Sequence, residues 1–439
     1  MAGSSKGTLR SLIVDPNVPV FLLLAGAFLL ASFFRISATV VLPIEGERIG
    51  MSASLVGFLS SLHFYTYALM QPVSGTLHDR HGPVRVVFWA LLFTVLSCLP
   101  MIVSRTPLTL GVWRLLSGLT IAPMYSAALV YQSFAFPSER YCFYAAITIT
   151  CSSLGSILAV APLGFVIERF GMTATFALLA GLPLILALFL LRRSGDDVVR
   201  RTAGKTEHRG AISILTGIGQ AIGLIFRNRR TRALQILWAV STASVMTFQA
   251  LWGAPWFHAA FQGSAGAARF WSSLVGVGGM LGPMLTSGIV LTKERLPRAV
   301  RRASIANALC WLLLLAVVRW GCSLPLAGLA TLVLGLASGV RGVFSLAAVT
   351  ACSPPDERGV VFGAMNMIGV LGIVVFQWGT GVILDRFPGA LPGTFTARGY
   401  FVSFAAVSIV MAASLYALRD LGTAPFEPGE PSDADERAA

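Results

Sequence analysis

Three arginines stand inside stretches of sequence that read as buried in lipid. Arg35, Arg114 and Arg341 each interrupt an apolar run of bilayer-spanning length. A charge at the bilayer centre costs about 2.5–3.5 kcal/mol even on the lenient insertion scale. A carboxylate neighbour would relieve that cost, yet none of the three runs contains an Asp or Glu. A guanidinium without such a partner, facing a water-filled cavity, attracts anions, and its planar fork suits a carboxylate or phosphate. Rise per residue puts Arg35 and Arg341 near mid-bilayer and Arg114 closer to one face. For each a plainer role stays open: bonding to carbonyls of neighbouring helices, or reaching outward to water.

Other polar side chains in apolar runs are weaker candidates. Gln249, Trp252, Trp256 and His258 share one run, where a polar group among aromatics suits a small polar solute. The tryptophans fit an interfacial aromatic belt equally well. Tyr65, Tyr67, His63 and Gln71, with Asn366 and Gln377 in a later run, serve as well as hydrogen bonds between helices. His63 alone among these titrates near neutrality and is the candidate for proton coupling.

The elements that must hold these residues are helices in a membrane. The chain has 439 residues, 55% of them hydrophobic and 12% charged, with a mean hydropathy of +0.76. A soluble domain carries about 25% charged residues. Twelve apolar spans are expected, near 18–43, 53–78, 85–104, 108–134, 140–167, 173–192, 233–259, 267–292, 302–320, 324–350, 358–384 and 399–419. The first is too long for a signal-peptide core and reads as a retained helix. The fold class expected is thus an all-α membrane protein with 12 transmembrane helices in two pseudo-symmetric six-helix bundles. Residues 1–17 form a cytoplasmic N-terminus, 18–192 the first bundle, 193–232 a basic cytoplasmic linker, 233–420 the second bundle and 421–439 a disordered tail.

Most of the 33 Lys and Arg fall in one set of loops; only Arg48, Arg105, Arg169, Arg269, Arg319, Arg386 and Arg398 fall in the other. Basic loops stay in the cytoplasm, so both termini are expected there, with the chain multi-pass in the cytoplasmic (cell inner) membrane. The net charge of +14 is concentrated in those loops without the basic–aromatic interleaving of a nucleic-acid surface, so no nucleic-acid partner is implied. The linker's apolar middle, 211–226, suits a helix lying on the inner leaflet, or a solvated linker. The six cysteines show no disulfide or zinc spacing. Val199 stands where a P-loop ending in Gly204, Lys205 and Thr206 needs its first glycine, and HExxH and GxSxG are absent. No enzyme, metal or cofactor is implied.

An internal repeat sharpens the architecture. Gln71, Gly75, Asp79 and Arg80 recur with identical spacing as Gln377, Gly381, Asp385 and Arg386, and Gly164, Glu168 and Arg169 repeat the last part. Pro137, Glu139 and Arg140 before span 5 match Pro355, Glu357 and Arg358 before span 11, half the chain away. Such nested repeats describe transporters built from two halves around a central site. The fourth copy, at Gly288, is followed by Thr292 and Lys293 and has lost its acidic residue.

Gly75, Asp79, Arg80, Gly82 and Arg85 resemble the loop 2–3 signature of the major facilitator superfamily, G-x-x-x-D-R-x-G-x-[RK], and Arg114 with Gly118 resembles its span 4 motif. The resemblance covers residues 18–420 and implies that spans 1, 4, 7 and 10, which carry all three arginines, line the central cavity. The stretch from Arg35 to Pro43 is similar to span 1 of organophosphate/phosphate exchangers and sugar-acid symporters, in which a span 1 arginine contacts the anion. The family's span 5 antiporter motif is only half present, at Ala161, Pro162, Leu163 and Gly164, which weighs against a drug exporter. The expectation is a monomeric secondary transporter of a small anionic solute such as a carboxylate, sugar acid or organophosphate, with H+ or Na+ as possible coupling ions. The candidate site is Arg35, Arg114, Arg341, Gln249, Trp252 and Tyr65. Gating is expected from Asp79, whose carboxylate can accept from helix-end N–H groups and from Arg80 or Arg85. Glu168 and Asp385 would act similarly at the other face. Export of amphiphiles, or a scaffold that no longer transports, are the alternatives.

Overall fold

The computed structural model describes residues 15–103, 105–136, 141–193, 228–286, 294–352 and 358–422, with a few positions between 219 and 226. Among these the regular elements are helical, apart from one isolated bridge between Pro388 and Phe395. Eight helices are long and apolar enough to cross a membrane. Joined across kinks and divided where the backbone turns, the helices make twelve rods. Span 1 is Val18–Ile36 plus Ala38–Ile49, broken at Ser37. Spans 2, 3 and 4 are Ala53–His81, Pro83–Val103 and Pro107–Ala135. Span 5 is Tyr141–Leu158, continued by the first part of Ala161–Arg192. That helix turns at Gly171, φ 78°, a backbone region glycine enters without steric cost, and the rest is span 6. Span 7 is Arg229–Thr247, a π turn at Phe248–Trp252, and Gly253–Phe261. Spans 8 to 12 are Ala265–Thr286, Leu296–Arg319, Leu324–Cys352, Arg358–Leu384 and Ala397–Ser414. Most of the linker's middle, the Pro137–Arg140 and Pro355–Glu357 loops, Gly288 and the acidic tail lie outside the described residues.

Local sequence sets the ends of these rods. Ser52 and Thr396 accept from Leu55 and Gly399 backbone N–H groups, and Thr106 with Thr109 forms a reciprocal capping box. Each such cap contributes about 1 kcal/mol by satisfying a donor the helix cannot.

Span 1 corrects one expectation. It runs to Ile49 rather than stopping at Pro43: the helix is interrupted at Ser37, resumes at Ala38 and carries Pro43 inside it. The extension brings a carboxylate, Glu45, into the span, fully buried. Glu45 is already matched: Arg48 Nε donates to it at 2.5 Å and Arg105 Nη1 at 3.1 Å. It stands ten residues beyond Arg35, about 15 Å along the helix, too far to neutralise that guanidinium.

Spans 8 and 10 meet along a glycine seam of Gly278, Gly282, Gly335 and Gly339. A methyl group on Gly282 would come within 2.5 Å of the Leu336 carbonyl oxygen and 2.9 Å of Val340 N. Backbone cannot yield as a flexible side-chain tip can, so the helices would have to part. Gly282→Val should therefore cost most of the folded, monodisperse protein on size-exclusion chromatography after detergent extraction. A wild-type elution profile would show that the seam tolerates separation.

Candidate central binding site

Mid-way along the rods lies a cavity of ≈ 250 Å³. The first half contributes Arg35 from span 1 and Ser152, Ser153 and Ser156 from span 5. The second contributes Trp238, Ser241, Thr242 and Gln249 from span 7, and Ser338 and Arg341 from span 10. Gly276, Gly279, Gly335 and Gly339 floor it, so the edge of the glycine seam is also the cavity wall.

The two arginines come from opposite halves and are poorly satisfied by the protein. Arg35 Nη2 reaches Ser32 Oγ only at 3.4 Å, and Arg341 Nη1 reaches Ser345 Oγ at the same distance. The Nε of each is buried without a hydrogen-bond partner. Neither joins any salt bridge among the described residues. Arg341 lies 5.6 Å from the centre of the Trp238 ring, which favours its charge without using its N–H groups. Ser32 is also held 2.6 Å from Ser152, tying span 1 to span 5 beside Arg35.

Arg114 is placed differently. It is fully buried, donates from Nη2 to the Ser60 carbonyl at 3.0 Å and from Nη1 to the Phe34 carbonyl at 3.4 Å, and lies against Trp113. It ties span 4 to spans 1 and 2 and is not part of the cavity lining. Gln249 is part of it, presented by the π turn. Trp252 instead donates from Nε1 to Thr380 Oγ1 at 3.1 Å, and Tyr65 is 40% exposed on span 2, away from the lining. Trp256 stacks on Phe404, and His258 bonds the Gly263 carbonyl. His63 is buried against Ser117, its Nδ1 3.0 Å from that hydroxyl, with Tyr67 stacked on its ring.

Contacts between the halves cluster at the end where span 2 begins. Asp385, at the end of span 11, accepts from the backbone N–H of Ala53 at 2.6 Å and of Ser54 at 3.1 Å. A carboxylate of one half thus caps the N-terminus of a helix in the other, where the dipole favours negative charge. Close packing at Gly381 against Ala53 permits the approach. Glu168 at the end of span 5 pairs with Arg269 of span 8, and the side chain of Arg269 lies over Gly164. Nearer the cavity, Thr39 Oγ1 donates to the Leu251 carbonyl at 3.2 Å. Arg169 and Arg386, the neighbours of the two acidic residues, are exposed. At the opposite end Gly75, Arg80 and Arg85 are exposed and Gly82 closes span 2 with φ 79°. The Asp79 side chain lies outside the described part of the structure.

Sequence reasoning did not single out the serines of span 5, Trp238, Ser241 or Ser338. A signal existed for the first group: Ser152, Ser153 and Ser156 share one face of an otherwise apolar helix.

The model of the Major Facilitator Superfamily matches residues 23–377. The chain belongs to that superfamily. Membership places it among transport proteins rather than enzymes. Among relatives of this superfamily protein, "Probable anion transporter 2, chloroplastic" of Oryza sativa subsp. japonica is 25% identical over 233 residues, 52% of this chain and 43% of the relative. The multidrug resistance protein MdtG of Escherichia coli (strain K12 / DH10B) is 29% identical over 140 residues, 31% of this chain and 34% of the relative. The chain thus spans less than half the length of these two relatives. Among solved structures, the nucleoside transporter NupG superposes with a TM-score of 0.71 at 16% identity, over 91% of this chain and 98% of that one. A bacterial homologue of the human lysosomal transporter Spinster gives 0.70 at 14% identity, over 92% and 97%. These likenesses show the facilitator fold.

Proposed function

We propose that this facilitator is a secondary transporter of a small organic anion, held between Arg35 and Arg341 as the two halves alternate access. The observation that carries the reading is the pair of guanidiniums, one from each half and each with a buried, unpartnered Nε, facing one cavity without a carboxylate partner among the described residues. An anion bridging them would tie the halves together through the solute itself, so binding and closure become one event. The anion-transporter name of the rice relative supports the same class. Gln249 and the serine walls would contact the rest of the molecule.

Coupling is by exchange, by membrane potential, or by H+ or Na+. The proposed setting is the cytoplasmic membrane with both termini inside, which puts the Asp385 and Glu168 contacts at the outer face and the Asp79 motif at the inner one. The MdtG relative favours a second reading, export of drug-like compounds. A ≈ 250 Å³ chamber walled by serines and two arginines suits a small polar solute better than a bulky amphiphile.

A thermal-shift screen of purified protein against carboxylates, sugar acids, sugar phosphates and lipophilic cations tests the reading. An anion at 100 times its Kd should add about 2.7 kcal/mol to the folded state. The same anion should then drive counterflow in proteoliposomes. Stabilisation by the cations alone would overturn the proposal in favour of drug export.

A further inference from the structure

Behind the cavity wall, span 9 carries a fully buried asparagine, Asn307, that is not part of the lining. Its side-chain amide bridges two hydroxyls that are. Ser241 Oγ donates to Asn307 Oδ1 at 2.9 Å, and Asn307 Nδ2 donates to Ser338 Oγ at 2.6 Å. A serine hydroxyl has one proton and two lone pairs. Ser241 has committed its proton to the amide and offers the cavity only a lone pair. Ser338 has accepted the amide proton and keeps its own free to donate. An amide has one accepting and one donating end, so turning it over exchanges the two roles and leaves the pair unchanged. The cavity therefore presents one donor and one acceptor, held from behind.

A carboxylate only accepts and an ammonium only donates; a hydroxyl does both. Ser338 lies one helical turn before Arg341, and this pair and the arginine line the same cavity. We infer that Asn307 is a positioning residue which sets Ser241 and Ser338 to recognise a hydroxyl group adjacent to the anionic end of the substrate. The substrate class is then a hydroxy acid or a hydroxylated phosphate ester. The inference rests on the anion reading above and narrows it.

The test uses matched pairs that differ by one hydroxyl: malate against succinate, and lactate against propionate. Binding is measured by thermal shift and by competition on the purified full chain. The wild type should prefer the hydroxylated member of at least one pair by about 10-fold or more, since a site built to bond a hydroxyl leaves its groups unpaired with the deoxy analogue. Asn307→Leu should bring that ratio to within about twofold, through loss of the hydroxylated ligand alone. A merely structural defect would weaken both members equally and leave the ratio standing. Ser338→Ala and Ser241→Ala remove one partner each without touching Asn307, and decide the matter should the leucine variant not fold. An unchanged ratio in both serine variants, or equal affinities within every pair in the wild type, overturns the role of Asn307. Binding of uncharged polyols in place of every anion sinks the anion reading instead, and the hydroxyl preference then persists without it.

Discussion

Replacing Arg35 or Arg341 with glutamine should abolish anion binding while raising the thermal stability of the ligand-free protein. Both halves of that result follow from one fact. Arg341 is buried and Arg35 half-buried, each with a buried, unpartnered Nε and no ion pair among the described residues, so the folded protein bears a desolvation cost it does not recover. Removing the charge relieves it. The bound anion, in contrast, loses the partner of a buried, hydrogen-bonded charge, a change that costs about 2–5 kcal/mol, or about 30-fold and upward in affinity. Lysine at either position keeps the charge but not the planar fork, and should recover part of the binding. Arg114 supplies the contrast in sign. Its Nε is unpartnered too, but its Nη2 and Nη1 already meet the Ser60 and Phe34 carbonyls and tie span 4 to spans 2 and 1, so Arg114→Gln should lower stability with or without ligand. Thermal-shift curves of the three variants, each with and without anion, read both effects together. An anion-induced shift surviving in Arg35→Gln and Arg341→Gln would remove the arginines from the site.

The second large effect belongs to Asp385. Asparagine there has one accepting oxygen and no charge, so one of the N–H groups of Ala53 and Ser54 loses its acceptor and the start of span 2 loses a counter-charge. Hydrogen bonds to charged groups contribute about 1.5–3 kcal/mol, and a helix N-terminus somewhat less again. A loss of about 2–3 kcal/mol shifts the equilibrium at this end from closed toward open by about 30- to 150-fold. Glu168→Gln, which weakens the pair with Arg269, should shift it in the same direction. Alkylation of a cysteine introduced at Ser54 would report the opening as a faster rate, and transport would slow because the closed state at this end is harder to reach. Alkylation and transport both matching the parent would show that the cap holds only the helix and not the halves.

The membrane class and the facilitator fold were legible in the sequence because each leaves a periodic trace: runs of spanning length, and a motif repeated half a chain apart. Span 1 was misjudged at its end because Pro43 reads as a stop, whereas the helix carries that proline within it and runs on to Ile49. Arg35 and Arg341 could be selected by the cost of their burial. What they face could not, since helix orientation is decided by packing that a single sequence does not display. Ser241 and Ser338 were invisible for the same reason. Serine is common in packed membrane helices, and only the amide of Asn307 behind them gives those two hydroxyls a direction.

The wide turn in span 7 works as a gear between solute and scaffold. An α-helix turns about 100° per residue, so the one residue that the π turn adds rotates everything beyond it by that much. Before the turn, Ser241, Thr242 and Val245 look into the chamber; at its last residue and beyond it, Trp252 and Trp256 look to Thr380 and Phe404. Were the helix to tighten by that residue, Gln249 would leave the chamber as Trp256 slid off its stacking partner. Polar grip and aromatic anchoring are meshed on a single shaft, and neither can slip a tooth alone.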